Sequence, residues 1–333
     1  MKHGSHETIA AIGTPPGEGG IAVVRVSGPD ALAVADRVFR CIPPRPSERP
    51  GQTFAYGHVQ GADGDIDEAL LLIMRAPRSY TCEDMVEIQG HGGRVCARRI
   101  LRRVLQAGTR MAEPGEFTRR AFEHGRIDLV QAEAVLDLIR ARSDRASRAA
   151  LEQLEGRLSD RINEFYEDLA DTAAQIEALL DFPEEDLPAD VLSQAVASLD
   201  RSSCAMQQVL DTWEEGRGLR EGLTVVIGGP PNAGKSTLFN ALLGRSRAIV
   251  TPHPGTTRDT LEESMTLQGI ELRIIDTAGL RASRCPVERL GVDRAVEQQG
   301  LADLVLYVVD ASHPVDREAW QELDPARAIA VLN

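Results

Sequence analysis

Gly229-Pro-Pro-Asn-Ala-Gly234-Lys235-Ser236 decides the fold of the segment around it, because it matches the phosphate-loop pattern G-x-x-x-x-G-K-[ST]. An apolar run, Leu223 to Ile227, enters the loop and a helix-forming run, Thr237 to Leu243, leaves it. Strand, tight loop and helix N-terminus together make a phosphate cradle: backbone N–H groups point inward, and the helix dipole favours an anion. Gly229 and Gly234 allow an approach that a Cβ would forbid. The residues expected around a nucleotide are Asn232, Ala233, Gly234, Lys235, Ser236 and Thr237. Lys235 is placed to neutralise the terminal phosphates and the Ser236 hydroxyl to ligate Mg²⁺.

Outward from the loop, Asp276-Thr277-Ala278-Gly279 follows the apolar run Leu272-Arg-Ile-Ile275. A carboxylate at a strand's C-terminal end is where an open α/β sheet places its ligand chemistry. Asp276 is expected to hold Mg²⁺ through its water shell, and the Gly279 N–H to sense the γ-phosphate. Between the two motifs, Pro254-Gly-Thr-Thr-Arg-Asp259 offers hydroxyls to the same metal. Three such motifs in order read as a phosphate-binding switch domain of the GTPase kind. Its strands are expected at Leu223 to Ile227, Leu261 to Leu267, Glu271 to Ile275, Leu304 to Val309 and Ala328 to Leu332, giving an α/β domain over 221–333. The sequence stops at Asn333, directly after a buried-looking strand, so we expect a piece of a longer protein. In GTPases the guanine-reading Asn-Lys-x-Asp follows this strand, and Asn333 would be its first residue. The residues therefore fix a nucleoside triphosphate but leave the base open.

A chain of 333 residues is long for one core and implies two or three domains. The N-terminal Met1-Lys-His-Gly-Ser-His-Glu lacks the apolar core of a signal peptide, and no apolar run approaches the ~20 residues needed to cross a bilayer. A cytoplasmic protein with no membrane partner is expected. Cys41, Cys82, Cys96, Cys204 and Cys285 are scattered without C-x-x-C spacing, which fits reduced thiols. A net charge of −14 argues against broad non-specific nucleic-acid binding, but leaves room for a local basic patch. Arg94, Arg98, Arg99, Arg102 and Arg103 crowd one helical stretch, with Arg119, Arg120 and Arg126 following. These read as a solvated helix face or as a contact for RNA or another anion.

Residues 1–120 alternate short strands and helices, as in an α+β domain. Strands are expected at Thr8 to Ile12, Gly20 to Val26, Phe54 to Val59, Glu68 to Met74 and Met85 to Gln89, helices at Ala31 to Phe39 and Val95 to Leu105, and a loop from Cys41 to Gly51. Over 121–220 prolines almost vanish. Leu151, Leu154, Leu158, Ile162, Phe165, Leu169, Ile176 and Leu179 recur at helical spacing, an acidic break follows at Leu180 to Asp186, and a second helix runs from Val191 to Trp213. A helical domain is expected there.

Together these motifs resemble the MnmE (TrmE) family of tRNA modification GTPases. The resemblance rests on the loop and switch motifs above, on Asp276 to Arg281 followed by Val287-Glu-Arg-Leu-Gly291, and on motifs outside the nucleotide domain. Those are Thr8 to Gly17, Ser79-Tyr-Thr-Cys-Glu-Asp84, Gln89-Gly-His-Gly-Gly93, Pro114-Gly-Glu-Phe-Thr118 and Gly125 to Ala134. It implies an N-terminal domain that binds a one-carbon tetrahydrofolate, in 5-formyl or methylene form, and that forms a homodimer. It also implies a flavin-dependent partner protein, with which carbon 5 of the wobble uridine of tRNA is modified. The GTPase domain would be inserted in a discontinuous helical domain, of which 121–220 is the first half.

By the same resemblance, Arg25, Glu87 and Arg126 fall at folate positions, and Thr251 and Thr257 join the nucleotide site with Thr277, Ala278 and Gly279. Switch GTPases often carry Gln after Asp-x-x-Gly to orient the attacking water. Here Leu280 stands there and cannot do so, and the resemblance assigns the role to Glu288, acting through a water. No arginine finger is evident; the family uses K⁺, held by Asn232 and by the loop Thr251 to Thr257, including His253 and Thr256. Mg²⁺ is assigned to Ser236 and Thr257, and catalysis to Glu288 with Lys235. Two departures stand out: the prolines Pro252 and Pro254 in the switch loop, and Cys82 where the family usually has glycine. The alternatives are a regulatory or ribosome-assembly GTPase, and an inactive product that retains only dimerisation and folate binding.

Overall fold

The structure, a computed structural model, describes residues 7–181, 191–230, 232–245, 262–276, 302–312 and 323–333. These fall into two units, Met1–Glu133 and Ala134–Asn333.

The first unit is built on β1 (Ile9–Ile12), β2 (Ile21–Ser27), α1 (Ala31–Val38), β3 (Phe39–Cys41), β4 (Thr53–Gln60), β5 (Asp65–Met74), β6 (Met85–His91), α2 (Arg94–Gln106), β7 (Arg110–Met111) and α3 (Glu116–Glu123). Its strands form one sheet in the order β3-β4-β5-β6-β2-β1-β7, antiparallel except for the β1–β7 pair. The two-residue period shows in β2, where Ala22, Val24 and Val26 are buried while Arg25 and Val23 face the other side. Val34 and Val38 of α1 and Ile100 and Val104 of α2 meet the buried strand residues Val24, Leu71, Ile73 and Ile88 in one core. Each such buried aliphatic side chain contributes about 1.5–3 kcal/mol.

The short strand β3 falls where helix end and loop are expected from the sequence, and the two-residue β7 lies in a stretch for which no element is expected. Phe39 leaves α1 with extended angles, φ −127° and ψ 123°, and pairs with Val59, so the helix ends one residue early. A single 3₁₀ turn, Pro46–Glu48, lies within the expected loop.

The second unit contains most of α4 (Leu129–Arg140), then α5 (Asp144–Leu154), α6 (Arg157–Asp181), α7 (Val191–Asp211) and α8 (Trp213–Glu221). The leucine stripe expected as one helix is two, because Gly156 at φ 98° turns the chain between α5 and α6. Ser143 caps α5 by accepting the Ala146 N–H at 3.2 Å. Leu151, Ile162 and Leu169 of the stripe are partly open to solvent at 45%, 46% and 38%, so this face is incompletely covered by the described residues.

Beyond these helices lie β8 (Leu223–Gly228), α9 (Lys235–Arg245), β9 (Glu262–Leu267), β10 (Ile270–Asp276), β11 (Leu304–Val309) and β12 (Ala328–Leu332). They give a sheet in the order β12-β11-β8-β10-β9, parallel except for the β9–β10 hairpin. Val225, Val226 and Ile227 of the central β8 are at most 2% exposed, the continuous apolar run of a strand covered on both faces. The outer β12 is more open than its composition suggests, with Ile329 at 50% and Leu332 at 71%. Among the described residues no helix is long and apolar enough to cross a membrane.

Candidate functional site

The chain runs from β8 to β10 on one side and returns to β11 and β12 on the other. The strand order therefore reverses beside β8, and the crevice at such a reversal, beyond the strands' C-terminal ends, is where open α/β sheets bind ligands. The glycine-rich loop occupies that place and feeds α9, whose first residue is Lys235.

Steric constraint from two sides explains the loop's glycines. Gly229 has φ 128° and Gly234 φ 97°. A Cβ on Gly229 would collide with the Val308 carbonyl oxygen, and one on Gly234 with the Asn333 side-chain amide. Asn232 takes the left-handed conformation, φ 63°, that Asn tolerates better than most residues. Lys235 is 7% exposed, and its ammonium donates to the Gly229 carbonyl at 2.9 Å and the Pro230 carbonyl at 2.7 Å. The charge thus lies against the loop instead of extending into solvent. The Asn333 Nδ2 donates to the Ala233 carbonyl at 3.0 Å, seating a residue from beyond β12 on the loop. A glycine-bounded loop at a helix N-terminus, with a buried ammonium beside it, fits a polyphosphate.

Asp276 ends β10 and pairs in register with Ile227 on β8, so its backbone stands one strand from the loop. Asn232, Ala233, Gly234, Lys235, Ser236, Thr237 and Asp276 are therefore brought together at one end of the sheet. Thr251, His253, Thr256, Thr257, Thr277, Ala278, Gly279, Leu280 and Glu288 lie outside the described residues.

The first unit brings together the three residues expected at a folate site. Arg25 on β2 and Glu87 on β6 face each other in register, and the guanidinium meets the carboxylate at 2.8 Å. Arg25 lies over the rings of Tyr80 and Phe117, each 5.5 Å from its guanidinium carbon. Arg126 lies over the Tyr80 ring at 4.8 Å and donates to the Tyr80 carbonyl at 2.9 Å. Tyr80 thus joins Arg25 and Arg126, and Glu87 is joined through Arg25, so the three residues expected to bind folate form one cluster. No role is expected from the sequence for Tyr80 or Phe117, although both lie in motifs singled out there; their stacking on Arg25 and Arg126 is visible only in the fold. A cleft of about 500 Å³ beside this cluster is lined by Tyr80, Cys82, His124 and Arg126 among others. Guanidinium groups suit a carboxylate, and Glu87 suits an amide edge, so the donor set fits a folate.

The 79–84 segment is held from behind by a buried polar chain. The Ser27 hydroxyl donates to Glu83 at 2.7 Å and hence accepts from Thr81 at 2.6 Å. Arg120, 4% exposed, joins Glu83 at 3.1 Å to Glu116 at 3.0 Å. Arg110 grips Glu116 with two donors, at 2.9 and 2.7 Å. These Arg110 bonds hold the Glu116 carboxyl down at about 2, against the opposing effect of burial. Arg120 is therefore an internal strut and not part of a basic face, and Arg119 is paired with Glu113 at 3.3 Å.

Cys82, where glycine was expected, has φ 59°. That conformation costs an L-residue roughly 1–2 kcal/mol, while glycine adopts it freely but gives up about 0.5–1 kcal/mol of chain entropy. Cys82→Gly should change stability by less than about 1 kcal/mol, and Cys82→Val should destabilise by a further 1–2 kcal/mol because of its branched Cβ. Thermal unfolding of the three proteins checks this; identical midpoints would remove the strain argument.

The Gln89 to Gly93 motif is tied to β5. Asp67 accepts from the His91 backbone and ring, both at 2.7 Å, and from the Cys96 thiol at 3.0 Å. Burial and the Asp67 contact push the Cys96 thiol up to about 12, so it remains protonated and unreactive at neutral pH.

Comparison with known proteins agrees with both units. The family described as "GTP-binding protein TrmE N-terminus" matches residues 8–126, and "MnmE helical domain" matches residues 129–328. The tRNA modification GTPase MnmE of Symbiobacterium thermophilum is 51% identical over 98% of this chain and 73% of its own length. That of Syntrophotalea carbinolica is 51% identical over 98% and 72%, and that of Moorella thermoacetica 49% over 96% and 70%. With the loop, the switch-point crevice and the N-terminal cleft in place, the chain belongs to the MnmE (TrmE) family of tRNA modification GTPases.

Proposed function

We propose that the chain binds and hydrolyses GTP at the loop between β8 and α9. We also propose that this cycle is coupled to modification of carbon 5 of the wobble uridine of tRNA. The observation that carries the first part is the glycine cradle at the sheet's reversal point, with the Lys235 ammonium beside it and Asn333 seated on its backbone. The tRNA part rests on the family. Lys235 and the α9 N-terminus take the β- and γ-phosphates. Ser236 and Thr257 hold Mg²⁺, with Asp276 acting through its water shell. Thr251, Thr277, Ala278 and Gly279 complete the nucleotide site, and Glu288 orients the attacking water through a second water. Asn232 and the loop containing Thr251, His253 and Thr256 hold K⁺, which when bound supplies the positive charge an arginine finger would give. In the first unit, Arg25, Arg126 and Glu87 bind a one-carbon tetrahydrofolate around Tyr80. That unit forms the homodimer, and a flavin-dependent partner completes the modification.

GTP turnover in KCl against NaCl tests the cation: a higher rate in KCl is expected, and equal low rates would sink that part of the mechanism. Glu288→Ala should keep nucleotide affinity and lose most turnover; unchanged turnover refutes its role. Mass spectrometry of wobble uridines from a deletion strain tests the function as a whole, and normal modification overturns it.

A further inference from the structure

The helix α2 has a composition that its fold does not require. Five of its 13 residues are arginine and none is acidic. At 100° per residue, the buried Ala97, Ile100, Leu101 and Val104 cluster on one side, and Arg94, Arg98, Arg102, Arg99 and Arg103 fan across the opposite half. Five other arginines of this unit, Arg25, Arg40, Arg110, Arg119 and Arg120, each meet a carboxylate, and Arg49, Arg75 and Arg126 donate to backbone carbonyls. Among the described residues none of the five on α2 meets a carboxylate. Arg103 donates to the Gln60 and Arg37 carbonyls, both at 2.8 Å, and Arg98 to the Arg94 carbonyl at 2.8 Å, so these guanidiniums are steadied without loss of charge.

That arrangement opposes helix stability. The pairs Arg94/Arg98, Arg98/Arg102 and Arg99/Arg103 repel at i,i+4 spacing, and Arg94 sits in the first turn, where the dipole disfavours a cation. An anion laid along the face would relieve both. We propose that the outer face of α2 docks the phosphate backbone of the RNA substrate, an assignment that rests on the reading of the chain as a tRNA-modifying enzyme. Successive turns of one stripe, Arg94, Arg98 and Arg102, step by about 6 Å, comparable to the spacing of phosphates along a strand. The guanidinium fork suits phosphate oxygens. An acidic protein or a lipid surface would call for apolar anchors as well. On the outer half of α2 only Val95, 68% exposed, could serve. In a chain of net charge −14 the patch acts at short range, within a Debye length of about 8 Å, and so orients the RNA instead of binding it indiscriminately.

The test measures binding of an unmodified tRNA transcript to the full chain and to a triple variant, Arg98→Ala, Arg99→Ala and Arg102→Ala, across a KCl series. Loss of three phosphate contacts should make the slope of log affinity against log salt shallower by about 2 and weaken binding at low salt at least tenfold. GTP affinity should hold and the thermal midpoint should stay level or rise as the repulsive pairs are removed, showing that the variant is folded. A control, Arg148→Ala with Arg201→Ala, should leave the slope within error. Unchanged slope and affinity in the triple variant, with the parent binding tRNA, overturn the surface assignment and leave the enzymatic reading intact. Failure of the parent to bind tRNA overturns both. Tighter binding of polyglutamate or anionic vesicles than of tRNA reassigns the face and likewise overturns the proposal.

Discussion

Replacing Lys235 by alanine is expected to lower GTP hydrolysis by about 10²–10³-fold, the scale seen when one preorganised donor is removed from a site of developing negative charge. The ammonium is 7% exposed and already positioned by two loop carbonyls, so little reorganisation opposes its use. A charge fixed in advance in a water-poor cradle acts more strongly than the same charge in solvent. Nucleotide affinity should fall as well, but the loss in single-turnover rate at saturating GTP should persist. Lys235→Arg should not rescue the rate, because a planar guanidinium cannot place one point charge in the same cradle. A Lys235→Ala rate within threefold of the parent would remove the loop from the chemistry.

Glu116→Gln carries the largest expected stability effect. Glu116 is 1% exposed and is shared by Arg110 and Arg120. Removing its charge takes from the buried Arg120 one of its two carboxylate partners, Glu83 being the other, and from Arg110 the stronger of two. The cost is therefore about 3 kcal/mol, the low end for a broken buried pair. The pH dependence gives an independent check. The carboxyl titrates near 2 instead of its ordinary 4.5, a difference equivalent to about 3 kcal/mol. Because the folded value is depressed, this stabilisation is complete above pH 4.5 and is lost as the pH falls from there towards 2. Urea unfolding between pH 7 and pH 3 should show the parent losing stability that the variant never had. Parallel profiles would mean that Glu116 is not the titrating group. Because the same chain of contacts supports Thr81 and Glu83, the variant should also weaken any ligand of the cleft next to Tyr80.

The nucleotide crevice was legible in the sequence because its determinants are local: an apolar strand, a glycine-bounded loop and a helix start follow one another directly. The N-terminal sheet was legible as strands but not as a pairing. Arg25 and Glu87 stood out only through the family resemblance; nothing in their local sequence shows that the antiparallel register of β2 and β6 sets them opposite each other. Tyr80 and Phe117 escaped for a similar reason, since a ring stacked under a distant guanidinium leaves no periodic trace. The turn at Gly156 was hidden by phase: Leu154 and Leu158 are four residues apart, so the stripe keeps helical spacing across the break. Arg119 and Arg120 looked like an extension of the basic run because charge alone does not distinguish a strut from a surface.

The contact between Asn333 and the loop has a mechanical consequence. The residue that follows the outermost parallel strand touches the backbone between Asn232 and Gly234, two strands away from its own. By the family resemblance Asn333 would open the base-reading segment, and on that reading the part that grips phosphate and the part that reads the base share one joint. A loop that shifts as phosphate arrives or leaves must carry the end of β12 with it or break that hydrogen bond. The cradle is thus a linkage as well as a receptor, joined at the Ala233 carbonyl.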